Sequence, residues 1–561
     1  MPVAFVEEAP RLEQAGRGFY VCYHGKTLLS RIDPIKQAER AASAAFPLAG
    51  KTLYLVPSPL LGYGIPLIME NLPHDSALLG IEADKALAGI SREYIRRLEA
   101  STSERFRFIQ TENPAAVRLF VNRTWGQRRF RRVKTLRLTG GWQLNTTFYD
   151  EAADILRRGI ATEWSNAMTL TKLGRLYIRN AIRNLGLLAA GTGIETLDFG
   201  NSPVIVLGAG PSLDDFLDRL KCEPPPETCR ILCVDTALRP LRDRNIKPDL
   251  VVALEAQHWN LRDFNGMGDW RIPVAMDMSG LPAVSGLLGG QTYPFWTRWT
   301  ELSIFERLFT LGIMPAELPP LGSVSLSAVN LALMLGTGAI FTAGIDFSFT
   351  FDKYHCRGSP SHSESLRRHT RFGGLYPTAA AFRARQASAV YCGSAGLLSD
   401  PAMENYRDMF EAEFSGRGRV FAVAGGGLPL GVPALSFDEM MREIRNHPPP
   451  VPAPFSAASR RDNPRVSGKS RAHLIQTFIN EEQRTLYELL GILKGGTKAR
   501  AGRLDSLLDS ASYLWAHFPD CAGAGGARPS SGDIIFLKRV RAEIEPFIKT
   551  WQTAAHLVYR R

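Results

Sequence analysis

The sequence predicts an α/β protein with a Rossmann-like central domain, an α/β N-terminal domain and a helical C-terminal domain. Three observations carry this. Short apolar runs rich in β-branched residues, 204–207, 231–234 and 250–254, follow one another with turns or helix-sized segments between them. That is the pattern of parallel strands buried on both faces. The first run ends in Gly208-Ala209-Gly210-Pro211-Ser212-Leu213, a glycine turn opening a helix. Beyond residue 471, Leu474, Phe478, Leu486, Leu489, Leu490 and Leu493 recur at helical spacing.

Residues 1–190 make the first expected domain. Phe19 to Tyr23 reads as a strand, and Asp33-Pro34 opens a helix to about Ala45. A strand at 52–56 leads into a loop with Gly62-Tyr63-Gly64, and a further apolar run, 77–81, ends in Glu82. Strand, glycine loop, helix, strand and acid form a second Rossmann-like outline, read as a scaffold. The basic run 128–134 is expected to be a solvated face beside a sheet. Glu163 to Leu188 has helical spacing and connects to the central domain, 191–445.

In that domain Val274-Ala275-Met276 ends at Asp277, and Gly322-Ser323-Val324-Ser325 opens a helix from Leu326 to Leu335. A strand at 339–343 ends at Gly344-Ile345-Asp346. Residues 446–470, with Pro448-Pro449-Pro450, read as a linker of extended polyproline geometry. Residues 471–561 are expected to be helical, the last helix covering about Asp533 to Val558.

Composition excludes several classes. The 561 residues are 45% hydrophobic and 22% charged, ordinary for a folded protein. The net charge of +12 is spread along the chain and reads as a solvated basic surface rather than a nucleic-acid face. Seven cysteines, an odd number without a Cys-x-x-Cys pair, fit free thiols in a reducing compartment. The N-terminus shows no signal peptide, and the most membrane-like stretch, Val324 to Ile345, carries Ser325, Ser327, Asn330 and three glycines. A cytoplasmic protein without stable membrane insertion is expected.

The candidate chemistry lies at the ends of the strand runs, because doubly wound sheets bind ligands beyond the carboxyl ends of their strands. Gly208 and Gly210 permit a tight turn and a close backbone approach. Pro211 suits a first helical turn, and Ser212 and Leu213 begin a helix whose N-terminus favours an anion. Asp235, Asp249, Glu255 and Asp346 are the candidate carboxylates, although Asp249 precedes its strand. Gly344 and Ser323 complete the expected binding set. His355 is the candidate general base, since imidazole accepts a proton near neutral pH, and His258 is the alternative. No Asp-x-Asp pair and no zinc spacing occurs, so no metal is expected.

Gly208 to Asp214, Val234-Asp235-Thr236-Ala237-Leu238 and Ile246-Lys247-Pro248-Asp249-Leu250-Val251-Val252 resemble the motility-associated Maf flagellin glycosyltransferases. Gly322-Ser323-Val324, the stretch Gly344 to Ser348 through His355, Asp33-Pro34 and Leu61-Gly62-Tyr63-Gly64 fit the same family. The resemblance spans most of residues 20–440. It implies transfer of a nonulosonic acid, such as a pseudaminic or legionaminic acid, from a CMP-activated donor to Ser/Thr hydroxyls of flagellin. The donor is a substrate, and no cofactor is implied. Carried onto this chain, Gly208 to Leu213 would cradle the nucleotide phosphate and Asp235 would lie near its sugar or base. Ser323 and Asp346 would line the donor pocket, Asp346 and His355 being the expected catalytic pair. Glu255 and Ile345 depart from the aspartate and polar residue expected there. The Gly-x-Gly-Pro-Ser core also resembles archaeal 6-hydroxymethylpterin diphosphokinases, which transfer diphosphate from ATP. A flagellin-binding chaperone without nucleotide is the remaining alternative.

Overall fold

The structure, a computed structural model, describes residues 9–101, 104–126, 129–189, 193–300, 302–350, 353–371, 388–392, 395–447, 468–495, 502–522 and 528–559. The chain packs as two compact units, Met1–Gly174 with Trp515–Ser530, and Arg175–Leu514 with Ser531–Arg561. Most of the expected linker, 448–467, lies outside the described residues.

The first unit holds an antiparallel sheet, β1 (Arg11–Ala15), β2 (Gly18–Tyr23) and β3 (Lys26–Thr27). Its second sheet is parallel and comprises β4 (Thr52–Pro57), β5 (Ala77–Glu82), β6 (Phe106–Gln110) and β7 (Arg132–Thr135), in the order β6-β5-β4-β7. Strands β4 and β5 are buried along their whole length, which is why they read as unbroken apolar runs. The part of the basic run that is described includes β7, whose arginine end is exposed.

The crevice at the carboxyl ends of β4 and β7 is filled by the unit's own chain. The Thr139 hydroxyl donates to the Ser58 carbonyl at 2.7 Å, and a Cβ on Gly141 would stand 2.2 Å from Ser58 Oγ. Ser58 and Leu60, both fully buried, adopt left-handed backbone there, at φ 44° and 50°. Glu82, at the end of β5, accepts from the Ser58 hydroxyl at 2.7 Å and the Tyr149 hydroxyl at 2.9 Å. A cavity of about 350 Å³ in this unit is lined by Ile35, Leu61, Tyr63, Tyr94 and Leu98 among others.

The second unit is built on a parallel sheet. Its strands are β8 (Val204–Leu207), β9 (Arg230–Val234), β10 (Leu250–Ala253), β11 (Ile272–Asp277), β12 (Gly289–Thr297), β13 (Glu317–Leu318), β14 (Ile340–Ala343), β17 (Val420–Val423) and β18 (Ala434–Leu435). Their order is β13-β12-β11-β10-β9-β8-β14-β17-β18. A separate hairpin pairs β15 (Ser388–Cys392) with β16 (Ala395–Ser399). Two apolar layers cover the large sheet. One packs the helices Leu213–Cys222, Leu238–Asp243 and Phe437–Asn446. The other packs the helices Val324–Leu335 and Pro401–Phe414. This is a doubly wound arrangement, and its strand order reverses between β8 and β14.

Strand β12 escapes a sequence reading because Gly289, Gly290 and Pro294 are strand breakers. The connecting helix is longer than 163–188. It runs Thr146–Ala189, its register continuing back through Leu156 and Ala152. The membrane-like stretch resolves into the helix Val324–Leu335 and strand β14. Among the described residues no helix is long and apolar enough to cross a membrane.

The C-terminal segment of this unit is helical, as expected, with helices Gly468–Leu493, Arg503–Ser510 and Ile534–Tyr559. Buried Glu482 fixes it: Arg307, on the helix Ser303–Thr310, pairs with Glu482 at 2.5 Å, and the Tyr513 hydroxyl donates to it at 2.9 Å.

Candidate functional site

The loops after β8 and β14 meet where the strand order reverses. The Gly208 N–H donates to the Ala343 carbonyl and the Gly210 N–H to the Gly344 carbonyl, each at 2.8 Å. The contact is tight enough that only glycine fits. A Cβ on Gly208 would lie 2.3 Å from the Gly344 oxygen, and one on Gly210 would lie 2.5 Å from the Asp346 carboxyl carbon. Gly344 itself holds φ at +67°. The glycines of this motif therefore admit the neighbouring loop of the same chain.

The same holds for the helix that follows. Asp346 accepts from the Ser212 N–H at 2.8 Å and from the Ser212 hydroxyl. A carboxylate of the protein thus occupies the N-terminus of the helix Leu213–Cys222, the place an anion would take. Pro211 sits in the turn before it, and Leu213 points into the core, fully buried. Asp346 is itself buried; burial pushes its carboxyl above the usual range, while the two Ser212 donors act in the opposite direction. Both its oxygens are engaged by Ser212, which ties the loop after β14 to the glycine turn.

His355 belongs to the loop beyond, which is tied to the glycine turn by the Cys356 N–H donating to the Ala209 carbonyl at 3.0 Å. Its Nδ1 lies 2.8 Å from Ser361 Oγ. With Nδ1 protonated and donating to Ser361, Nε2 is the proton-accepting nitrogen.

On the other side of β8, Asp235 ends β9. It accepts from the Thr236 N–H at 2.8 Å and from Asn260 Nδ2 at 2.7 Å. Asn260 also approaches Asp263 at 3.4 Å. Burial, then the charge of Asp235, pushes the Asp263 carboxyl up to about 7. Burial likewise raises Asp235, with the Asn260 bond opposing it. Glu255 caps its own loop, accepting from the Gln257 N–H. Beside Asn260, Trp259 is 64% exposed and its ring lies 4.5 Å from that of His258.

Asp249 is at the amino-terminal edge of the sheet. It accepts from the Ile231 N–H at 2.8 Å and pairs with Arg230 at 3.3 Å. It is not brought together with the other candidates, because it precedes β10 while they follow their strands.

Ser323 precedes the helix Val324–Leu335 and makes no capping bond to it. This helix returns antiparallel to the strands, so its N-terminus lies at the carboxyl edge of the sheet. A Cβ on Gly322 would touch the Tyr406 ring at 3.3 Å, and that ring lies 6.5 Å from Phe347, the neighbour of Asp346. Tyr177, from the long helix, faces Glu255, Asp277 and Tyr406. Burial first, then these neighbours, push its hydroxyl up to about 12.

Sequence reasoning missed Asn180 and Asn184, which shape this edge, and placed Asp277 at a strand end without making it a candidate. Asn180 Nδ2 donates to the carbonyls of Ala256 and Ser279, and Asn184 Nδ2 to those of Met278 and Gly280, fastening the loops after β10 and β11. Asp277 ends β11 as Asp235 ends β9, but it accepts from the N–H and hydroxyl groups of both Ser279 and Thr297. Among the described residues no group of three His, Cys, Asp or Glu is arranged to hold a metal ion.

Fold and crevice define a doubly wound α/β protein whose strand-end loops converge at a topological switch point. Residues 179–352 match the family described as 6-hydroxymethylpterin diphosphokinase MptE-like. Over 554 residues the chain is 28% identical to an uncharacterized protein of Treponema pallidum (strain Nichols), covering 96% of this chain and 94% of that one. Its fold is similar to that of the Maf glycosyltransferase from Magnetospirillum magneticum AMB-1, with a TM-score of 0.51 and 15% identity, covering 99% of this chain and 90% of the other. The chain thus shares the Maf glycosyltransferase fold.

Proposed function

We propose that this protein is a glycosyltransferase that moves a nonulosonic sugar from a CMP-activated donor to Ser/Thr hydroxyls of flagellin in the cytoplasm. The observation that carries the reading is the likeness to a Maf glycosyltransferase along 99% of the chain, helical C-terminal segment included.

The donor lies at the carboxyl edge in this proposal. Its phosphate meets the N-terminus of the helix Val324–Leu335 at Ser323, since the other candidate helix start already carries Asp346. Asp235 and Glu255 take hydroxyl or amine groups of the nucleoside. His355 accepts the proton of the acceptor hydroxyl as its oxygen attacks the anomeric carbon. The bond from that carbon to the phosphate oxygen breaks and CMP leaves with the electron pair.

The test is incubation of the purified protein with CMP-nonulosonates and flagellin, read by intact-protein mass spectrometry. Mass added to flagellin at a Ser or Thr, dependent on the CMP donor, supports the proposal. The match of residues 179–352 favours a second reading, diphosphate transfer from ATP to a hydroxymethyl group. Consumption of ATP with 6-hydroxymethylpterin, without transfer from any CMP donor, would establish it instead. Flagellin binding with neither activity would point to a chaperone.

A further inference from the structure

We infer that Asp214 is the positioning residue for His355, holding the histidine loop from both sides through one buried carboxylate. The role of the histidine rests on the glycosyltransferase reading, while the clamp itself rests on geometry alone.

Asp214 follows Leu213 in the first turn of the helix Leu213–Cys222. An acid there is ordinarily a surface residue that complements the helix dipole. This one is 2% exposed and reaches across the chain. It accepts from Lys353 Nζ at 2.8 Å, from the Arg357 N–H at 2.8 Å and from Arg357 Nε at 3.1 Å. Those partners lie 139 and 143 positions away in sequence. They stand two residues before and two residues after His355. Arg244 adds a third cation at 3.9 Å.

The segment between Lys353 and Ser359 contains no helix or strand, so its shape depends on such contacts. Besides Asp214, the Cys356 bond to Ala209 and the Ser361 hydroxyl beside Nδ1 hold it. Removing the carboxylate would leave Lys353 without its acid and Arg357 and Arg244 with only the more exposed Asp218, at 3.6 and 2.7 Å, so three cations would be balanced by one carboxylate at the edge of the cluster. The loop would open, and the imidazole would leave its position beside the glycine turn. A buried ion pair broken from one side is costly to the fold as well, so the test separates placement from folding.

The experiment compares wild type, Asp214→Asn, Asp214→Glu and Arg357→Ala. Arg357 is 56% exposed, so its replacement spares the fold. Two readouts are taken: transfer kinetics, and the rate of His355 carbethoxylation by diethyl pyrocarbonate, resolved by peptide mass spectrometry. A base misplaced by about 1 Å lowers kcat on the order of 100-fold. The expected result is that loss in folded Asp214→Asn, with donor KM unchanged, partial recovery in Asp214→Glu, and faster carbethoxylation of His355 in Asp214→Asn and Arg357→Ala. Unchanged carbethoxylation of His355 in both variants would overturn the clamp. If Asp214→Asn does not fold, Arg357→Ala decides alone. If wild type transfers no sugar, the proposed function fails while the carbethoxylation rates still decide the clamp.

Discussion

The Ser212 N–H donates to Asp346 Oδ2 at 2.8 Å across 134 positions of sequence. This bond changes what the glycine motif means. A strand–glycine–helix turn is an anion site when its first N–H groups point at open space. Here the Ser212 N–H points at a carboxylate of the same chain, and Gly210 is there so that the carboxylate fits.

Two substitutions follow from that geometry. In Asp346→Asn the amide oxygen can accept from the Ser212 N–H while the amide nitrogen donates to the Ser212 hydroxyl. This variant should keep its melting temperature and most of its transfer activity. Gly210→Ala places a methyl group against the Asp346 carboxyl and should cost about 1–3 kcal/mol. That cost should shrink in an Asp346→Ala background, where the carboxyl is gone and only the Cβ contact at 2.9 Å remains, and a double-mutant cycle by thermal denaturation measures the coupling. Loss of transfer in a folded Asp346→Asn would return Asp346 to the chemistry.

Asn180 and Asn184 are one turn apart on the long helix, and each amide serves two carbonyls of the strand-end loops. Replacing either by Ala leaves two buried acceptors without those donors, a loss of about 1–3 kcal/mol. Hydrogen exchange should quicken in residues 254–260 and 277–281 for Asn180→Ala, and in residues 277–281 alone for Asn184→Ala. Unchanged exchange in those segments would mean the loops stand without the helix.

How much was legible follows from where each signal lies. Strands β8, β9 and β14 could be read because burial on both faces makes them continuous apolar runs with glycine or acid at the end. Strand β12 could not, since Pro294 and two glycines mask it. The acids at strand ends were legible by position but not by role, and Asp277 was not among the candidates. Asp235 and Asp277 look alike in sequence, and what separates them is Thr297, 20 positions from Asp277, which satisfies that carboxylate. Asp214 and Asp346 differ in the same way, by partners more than 130 residues off. Asn180 and Asn184 gave no signal, because polar residues on a helix read as its solvated face.

Glu82 makes the stability of the first unit depend on pH. Burial pushes its carboxyl from 4.5 up to about 7, against the hydrogen bonds of Ser58 and Tyr149. A carboxyl raised in the folded state holds a proton that the unfolded chain has released. The stability it contributes is complete below about pH 4.5, falls as pH rises and is lost above about pH 7. Glu82→Gln cannot ionise, so it should be more stable than wild type at pH 8, by about 3 kcal/mol, and close to level with it near pH 5. A melting difference that is flat between pH 5 and 8 would show that Glu82 is not held protonated.

Ser323 separates the two helix starts at the carboxyl edge. The start at Leu213 is filled by Asp346, whereas the start at Val324 has no side-chain cap. Ser323→Ala removes a hydroxyl that caps nothing, so the melting temperature should stay within about 1 °C of wild type. If the donor phosphate is held there, the lost hydroxyl should weaken CMP binding about tenfold, the equivalent of roughly 1.4 kcal/mol, with the effect in donor KM more than in kcat. Calorimetric titration of CMP into both proteins reads this directly. Equal affinities would move the phosphate away from this helix and leave the edge between β9 and β10, with Asp235 and Asn260, as the place to look for the nucleotide.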